Sequence, residues 1–211
     1  MKILIVGGTG EFGSYYARFF RQKGFDVSIS SRDFEETKKA AQHLWVKPAD
    51  TASGVKEAEI IVICVPLKVA PKVIAECAKN ANRNALIVDF CSVKRGACAA
   101  LMKFRAKELE LASMHPMHSP RVSNLKGIRV ISIPIKVAEK YKALKQIFLS
   151  EGATITECSA KEHDEMLSIV QGLTHFLHIV AGVTLNELRV DIEKSRKQFK
   201  KGEFILLSDL K

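Results

Sequence analysis

Two segments of the chain carry polar side chains of the kind that transfer protons. Residues 88–94 contain Ser92 after a short apolar run, and residues 113–121 contain His115 after another. An imidazole changes charge near pH 7, so a histidine just past a strand end and followed by a proline is well placed for general acid–base catalysis. The alternative is that His115 only hydrogen-bonds at the end of a sheet.

A glycine-rich turn near the N-terminus has the spacing G-x-G-x-x-G. It follows the apolar run 3–6 directly and opens an amphipathic stretch that continues to Arg21. In that context the pattern predicts a dinucleotide pyrophosphate at a helix N-terminus. Gly8 is expected to permit the tight turn, Gly10 to let the backbone approach the pyrophosphate, and Gly13 to let helix and strand pack closely. The predicted cofactor-binding residues are Gly8, Thr9, Gly10, Glu11, Phe12 and Gly13.

The residues after the second predicted strand indicate which dinucleotide binds. NAD-binding proteins place an acidic side chain there, which holds the ribose 2′-hydroxyl. Here the position falls on Ser31, followed by Arg32, and a hydroxyl with a guanidinium suits a 2′-phosphate. We therefore expect NADP rather than NAD, with Asp33 as a helix N-cap or, if the turn shifts, as the acidic ligand. We expect the end of a later strand, residues Cys64, Val65 and Pro66, to lie beneath the adenosine or pyrophosphate.

The elements that must position these residues alternate along the chain. Buried strands alternating with helices predict an α/β fold, a Rossmann-type doubly wound, mainly parallel sheet. The predicted strands are 2–6, 25–30, 59–65, 85–89, 109–114, 128–133 and 153–156, and the helices after the first are 33–43, 67–80, 93–107 and 137–150.

A long helix is predicted after the sheet, over about 159–200. Ser159 and Glu162 have the spacing of a capping box, and apolar residues recur at helical spacing after it. We expect a dinucleotide-binding domain at 1–157 and a C-terminal helical segment at 158–211. Since no second helix follows to cover the apolar face, this helix is expected to form a homodimer or to pack on the sheet domain.

The composition argues against several kinds of partner. Lys and Arg exceed Asp and Glu by ten among 211 residues, but without the aromatic–basic interleaving that binds single strands, so nucleic acid is not expected. We expect no membrane-spanning segment, since no run approaches the roughly 20 consecutive apolar residues that a span needs. The five cysteines are odd in number and lack Cys-x-x-Cys spacing, which argues against disulfides and zinc. We expect a cytoplasmic protein with no membrane contact and no metal site.

Three segments together resemble the prephenate dehydrogenase family. They are Asp89-Phe-Cys-Ser-Val-Lys94, His115-Pro-Met-His-Ser-Pro-Arg-Val122, and the pair Glu162-His-Asp-Glu-Met166 and Gln171-Gly-Leu-Thr-His-Phe176. They occur in the family's order and approximate spacing, and with the glycine motif they cover residues 1 to about 197. The His-Pro-Met segment is the most specific of them.

The resemblance implies oxidation of prephenate, or of arogenate, with loss of carbon dioxide in tyrosine biosynthesis. In that scheme His115 accepts the proton of the ring C4 hydroxyl while hydride leaves C4 for the nicotinamide. Ser92 hydrogen-bonds His115 or that hydroxyl. The candidates for binding the small anionic substrate are Lys94, Arg121, Gln171 and His175, the last two on one face of the long helix with His178.

The chain also departs from the family pattern. The family usually has Phe-Gly after His-Pro-Met, where this chain has His118 and Ser119. The resemblance stops near residue 197, so we expect a shortened C-terminal region, with Arg189 or Arg196 as substitutes for a family arginine that binds substrate carboxylate. Two other functions stay open, a coenzyme F420-dependent NADP reductase and a dinucleotide-binding regulatory module without turnover.

Overall fold

A computed structural model describes residues 1–188 of the chain. The strands are β1 (Lys2–Val6), β2 (Asp26–Ser30), β3 (Lys47–Pro48), β4 (Ile60–Ile63), β5 (Leu86–Asp89), β6 (Glu110–Pro116), β7 (Arg129–Lys136) and β8 (Thr154–Glu157). The helices are α1 (Glu11–Gln22), α2 (Phe34–Leu44), α3 (Thr51–Glu57), α4 (Ala70–Asn80), α5 (Arg95–Met102), α6 (Glu139–Ser150) and α7 (Ala160–Glu187).

The eight strands form one sheet in the order β3-β2-β1-β4-β5-β6-β7-β8. All neighbouring strands are parallel except β6 and β7, which pair antiparallel. The first six strands have the order of a dinucleotide-binding sheet, in which the chain reverses its winding direction between β1 and β4. The predicted Rossmann-type, mainly parallel sheet is confirmed. Ligands of such sheets bind at the carboxyl ends of the strands beside this reversal.

Apolar side chains cover both faces of the central strands. One core lies on the side of α1, α2 and α6 and includes Tyr16, Phe20 and Phe148, while the other lies on the side of α3, α4 and α5. Every residue of β4 and β5 is buried. Strands buried on both faces read as continuous apolar runs rather than alternating ones, which is why the sequence pattern located them correctly.

Four elements differ from the sequence prediction. Strand β6 extends through His115 and Pro116, so His115 lies within the strand, opposite Ile131 of β7, rather than just past its end. Helix α5 is shorter than the predicted 93–107. Strand β3 and helix α3 were not predicted, since β3 has only two residues and α3 only seven.

The chain divides into two compact units, the first comprising Met1–His163 and the second beginning at Asp164. Helix α7 begins in the first unit. By length and composition alone this helix could cross a membrane, since its mean hydropathy is 1.5 over an 18-residue window. A single helix of this kind is weak evidence for a membrane span. The expectation that no segment is long and apolar enough to span a membrane therefore needs correction. The predicted continuation of this helix to about residue 200 lies outside the described residues.

Candidate functional site

The glycine turn follows β1 directly, and three of its glycines are required by the protein's own packing. Gly7 has φ +88°, and a Cβ there would lie 2.3 Å from the Cys64 carbonyl oxygen. A Cβ on Gly8 would lie 2.4 Å from Cβ of Ile29, and one on Gly13 would lie 2.2 Å from the Gly7 oxygen. The left-handed residue of the tight turn is thus Gly7, not Gly8 as predicted, while Gly8 permits close contact with β2. Gly13 allows the close packing of helix and strand that its position predicts.

Gly10 is different, because the protein's packing does not explain its missing side chain. The nearest atom to an added Cβ is the Gly7 oxygen at 3.4 Å, an ordinary van der Waals contact. Gly10 is also the N-cap of α1 and cannot cap the first backbone amides with a side chain. A helix N-terminus of this kind binds phosphate groups through its amides and dipole. The turn therefore fits a dinucleotide pyrophosphate.

The segment after β2 carries a hydroxyl, a guanidinium and a carboxylate. The Ser31 hydroxyl lies 2.9 Å from the Asp33 carbonyl oxygen and 2.8 Å from the Thr37 hydroxyl, and Arg32 is exposed. Asp33 is the N-cap of α2, and its carboxylate accepts from the amides of Glu35 and Glu36 at 2.9 and 3.0 Å. The N-cap alternative for Asp33 is confirmed, so this carboxylate is already hydrogen-bonded to its own helix.

A cleft of about 330 Å³ opens at the carboxyl ends of β4, β5 and β6. It brings together predicted site residues from four segments that are far apart in the sequence. Ser92 comes from the loop after β5, and His115 from β6. The lining side chains are those of Phe12, Cys64, Val65, Pro66, Leu67, Phe90, Cys91, Ser92, His115, Pro116 and His118.

His115 pairs with a second histidine. Its Nδ1 lies 3.0 Å from Nε2 of His163, with an angle of 64° between the rings. The two side chains are 8% and 5% exposed. His163 was not among the predicted site residues, and 48 residues separate it from His115 in the sequence.

The start of α7 holds His163 in position. The Ser159 amide donates to the Glu162 carboxylate at 2.8 Å, and the Glu162 amide donates to the Ser159 hydroxyl at 3.2 Å. These bonds lower the pKa of Glu162. The predicted capping box is confirmed, and His163 is the next residue, with its amide bonded to the Ser159 carbonyl oxygen.

Lys94 does not lie where a substrate could reach it, which corrects its predicted role. Its side chain is completely buried. The ammonium group donates to the Asp89 carboxylate and to the Met114 carbonyl oxygen, both at 2.8 Å. The amide of Cys91 donates to the same oxygen of Asp89 at 3.1 Å. Lys94 and Asp89 therefore fasten the loop that carries Ser92 to the residue before His115.

His118 stands at the side of the cleft formed by α1. Its Nδ1 donates to the Ser119 carbonyl oxygen at 2.8 Å, so in the neutral ring Nε2 accepts from the Tyr16 hydroxyl, also at 2.8 Å. The ring lies within about 6 Å of the rings of Phe12, Tyr15 and Tyr16. Burial lowers the pKa of His118 and raises that of Tyr16 well above its usual value. The departure from the family pattern at this position thus forms part of the cleft wall.

Two cysteines line the cleft, but their thiols are not activated. Burial raises the pKa of Cys91 to about 12 and that of Cys64 well above its ordinary value. A protonated thiol is a poor nucleophile. Within residues 1–188, His, Cys, Asp and Glu side chains form no group of three or more that could hold a metal ion.

Of the other predicted substrate-binding residues, Arg121 does not line this cleft. Arg121 is exposed in the turn between β6 and β7. Gln171 and His175 are exposed on α7 in the second compact unit, and their role stays a prediction. Arg189 and Arg196 lie outside the described residues.

Three features define a nucleotide-binding domain of the Rossmann type: the strand order, the glycine turn beside the winding reversal, and the start of α1, where Gly10 provides no side-chain cap. The chain belongs to the prephenate dehydrogenase family, since the model of that family's nucleotide-binding domain matches residues 16–129. This family membership agrees with the resemblance carried by the His-Pro-Met segment.

Several known proteins are similar to the chain. A probable arogenate/prephenate dehydrogenase of Methanocaldococcus jannaschii is 33% identical over 201 residues, which cover 93% of this chain and 45% of that protein. The T-protein of Haemophilus influenzae is 26% identical, with 90% and 47% covered. The chain thus spans about half the length of these curated relatives.

Solved structures share the fold. The arogenate dehydrogenase of Synechocystis has a TM-score of 0.75 at 18% identity, with 98% of this chain and 77% of that chain covered. The A. aeolicus prephenate dehydrogenase in complex with hydroxyphenyl propionate and NAD+ has a TM-score of 0.74 at 21% identity, with 92% and 73% covered.

Proposed function

We propose that the chain catalyses the NADP-dependent oxidative decarboxylation of prephenate or arogenate. The observation that carries this proposal is the cleft in which His115 and Ser92 lie beside Phe12 of the glycine turn. Family membership and the names of the relatives support the same reaction. The two substrates share the ring on which the chemistry occurs, so the cleft around His115 does not favour one over the other.

In this reaction the chain's own residues handle a proton and orient the substrate. His115 accepts the proton of the C4 hydroxyl as hydride leaves C4 and the ring carboxylate departs as carbon dioxide. The proton then returns to the oxygen of the phenol product. Ser92 holds the hydroxyl or His115 in line for this transfer. A bound nicotinamide supplies the hydride acceptor.

NADP is our proposed cofactor because of the groups after β2. Arg32 offers an exposed guanidinium, and Asp33 has its carboxylate bonded to the start of α2. A ribose 2′-phosphate would meet a cation there rather than an acidic ligand. The other proposed contacts are the amides of residues 8–13 with the pyrophosphate, and Cys64, Val65 and Pro66 with the nucleotide.

The test is to mix the full chain with NADP and prephenate, then with arogenate, and to follow the absorbance of the reduced cofactor. His115→Ala should lower kcat by about 10²- to 10⁴-fold and leave NADP affinity unchanged. His43→Ala is the matched control, because His43 is exposed on α2 and bonded to its own helix at Lys39. NADP binding without turnover of either substrate would contradict the proposal and favour a regulatory module. Turnover with coenzyme F420 instead would favour the reductase.

We also propose that the chain forms a homodimer through α7. Nine large apolar side chains of this helix are exposed, namely Met166, Ile169, Val170, Leu173, Phe176, Leu177, Ile179, Val180 and Val183. Apolar stripes of this kind mark interaction surfaces. A second copy of the same stripe would cover it.

Light scattering on the full chain tests the homodimer. Leu173→Glu should convert the dimer to monomer, whereas Asn186→Asp, which also adds one negative charge to an exposed position of α7, should not. A monomer in the unsubstituted chain contradicts the dimer. Co-sedimentation of that monomer with neutral lipid vesicles would assign the stripe to a membrane. Since all five cysteines are free thiols, we propose a reducing, cytoplasmic location.

A further inference from the structure

The contact between His115 and His163 constrains the protons of both rings. A neutral imidazole carries one N–H, and two nitrogens at 3.0 Å can share only one hydrogen. Either Nδ1 of His115 donates to Nε2 of His163, or the reverse holds. The two arrangements leave opposite tautomers of His115, and only one of them has its lone pair on Nε2.

We infer that His163 is a positioning residue that accepts the Nδ1 hydrogen of His115 and thereby holds the lone pair of His115 on Nε2. This inference rests on the proposed function, in which His115 accepts a proton in the cleft. In that tautomer Nε2 of His115 carries the lone pair, so we assign the hydroxyl proton to this nitrogen. A donor in place of His163 would leave a hydrogen on Nε2 and block that transfer.

The same bond assists the charged state. When Nε2 of His115 gains a proton, the Nδ1–H becomes part of an imidazolium and donates more strongly to His163. This is the role that a buried carboxylate has in a serine protease triad, with a neutral acceptor in its place. Hydrogen bonds to charged groups contribute enough that losing one should slow the step by about 10- to 100-fold.

The local structure keeps His163 in place independently of any ligand. The capping box of Ser159 and Glu162 defines the first turn of α7. Strand β8 pairs with β7, which pairs with β6 through Ile131 and His115. The two histidines are therefore attached to the same sheet, and burial of both rings limits exchange with water.

Two substitutions at His163 separate positioning from packing. His163→Gln keeps an acceptor oxygen near the place of Nε2, whereas His163→Leu fills similar volume without an acceptor. We expect His163→Leu to lower kcat by about 10- to 100-fold with little change in KM or NADP affinity. His163→Gln should recover most of that loss. An equal loss of kcat in both variants, or a change confined to KM, would overturn the inference.

A second measurement does not depend on turnover. Nitrogen-15 NMR of the imidazole rings, assigned with His115→Gln, distinguishes the two tautomers of His115. We expect the Nδ1–H form in the unsubstituted chain and a shift towards the Nε2–H form in His163→Leu. If the chain shows this tautomer but turns over neither substrate, the assignment stands and the proposed function fails. An Nε2–H tautomer in the unsubstituted chain would refute the role of His163.

Discussion

The ammonium group of Lys94 lies 2.8 Å from a carboxylate oxygen of Asp89, and both side chains are completely buried. Asp89 ends β5, and Lys94 stands just before α5. Their ion pair closes the loop that contains Ser92, and the bond from Lys94 to the Met114 carbonyl oxygen attaches this loop to β6. The buried charge pair thus couples the positions of the two proposed catalytic side chains.

Breaking this ion pair should lower the stability of the folded chain. Lys94→Met leaves the Asp89 carboxylate buried without its cation, so we expect the free energy of unfolding to fall by about 3–5 kcal/mol. Urea unfolding followed by circular dichroism measures the change. Lys72→Met, at an exposed position with one weak ion pair, should change stability by less than about 0.5 kcal/mol. Combining Lys94→Met with Asp89→Asn should recover part of the loss, and a Lys94→Met protein of normal stability would contradict the role assigned to the pair.

Substitutions in the glycine turn should distinguish the glycine that the fold requires from the glycine that cofactor binding requires. In Gly13→Ala the added Cβ would overlap the Gly7 oxygen, so stability should fall by about 1–3 kcal/mol or more. In Gly10→Ala the fold should persist, while the dissociation constant for NADP should rise by about tenfold or more, or about 1.4 kcal/mol. Gly96→Ala is the control, since its Cβ would meet only Pro71 at 3.8 Å. Calorimetric titration measures the affinities, and unchanged NADP binding in Gly10→Ala would argue against a pyrophosphate at this turn.

Arg32 should determine the preference between the two dinucleotides. Removing a guanidinium from a 2′-phosphate loses a charge-assisted hydrogen bond, so Arg32→Ala should weaken NADP binding by about 10- to 100-fold. NAD binding should change little, because NAD carries no phosphate there. Lys56→Ala, which removes an exposed cation from α3, controls for net charge. Equal weakening of NADP and NAD in Arg32→Ala would rule out contact between this guanidinium and the 2′-phosphate.

His118 should make stability depend on pH in the acid range. Burial lowers its pKa in the folded chain below the ordinary value of 6.5. Between these two pKa values the unfolded chain binds a proton that the folded chain does not, so stability falls as pH drops through this window. His118→Gln retains an acceptor for the Tyr16 hydroxyl but cannot titrate, and its unfolding free energy should decline less over the same range. Parallel pH profiles for the two proteins would refute the assignment.

Sequence patterns predicted most of the sheet because its central strands are short, apolar and buried on both faces. They also located Ser92 and the glycine turn, which follow recognisable strands, and His115, which lies near the end of one. The turn was nevertheless assigned to the wrong residue. The G-x-G-x-x-G spacing points to Gly8, but the positive φ falls on Gly7, where the chain passes close to the Cys64 carbonyl oxygen.

The prediction that Lys94 binds substrate failed for a different reason. A lysine in a polar loop near a predicted active site reads as a ligand for an anion, and nothing local indicates a completely buried partner. Its side chain instead reaches the Met114 carbonyl oxygen, 20 residues later in the chain. Only the pairing of β5 with β6 brings these groups together.

Taken alone, the sequence determined the fold class, the nucleotide-binding turn and the identity of the histidine proposed as base, because these depend on local spacing and apolar periodicity. The tertiary structure decided which side chains surround that histidine. His163 reaches it across 48 residues, His118 reaches Tyr16 across 102, and Lys94 reaches the Met114 carbonyl oxygen across 20. Such contacts arise from the order in which strands join the sheet, and one-dimensional spacing carries no record of that order.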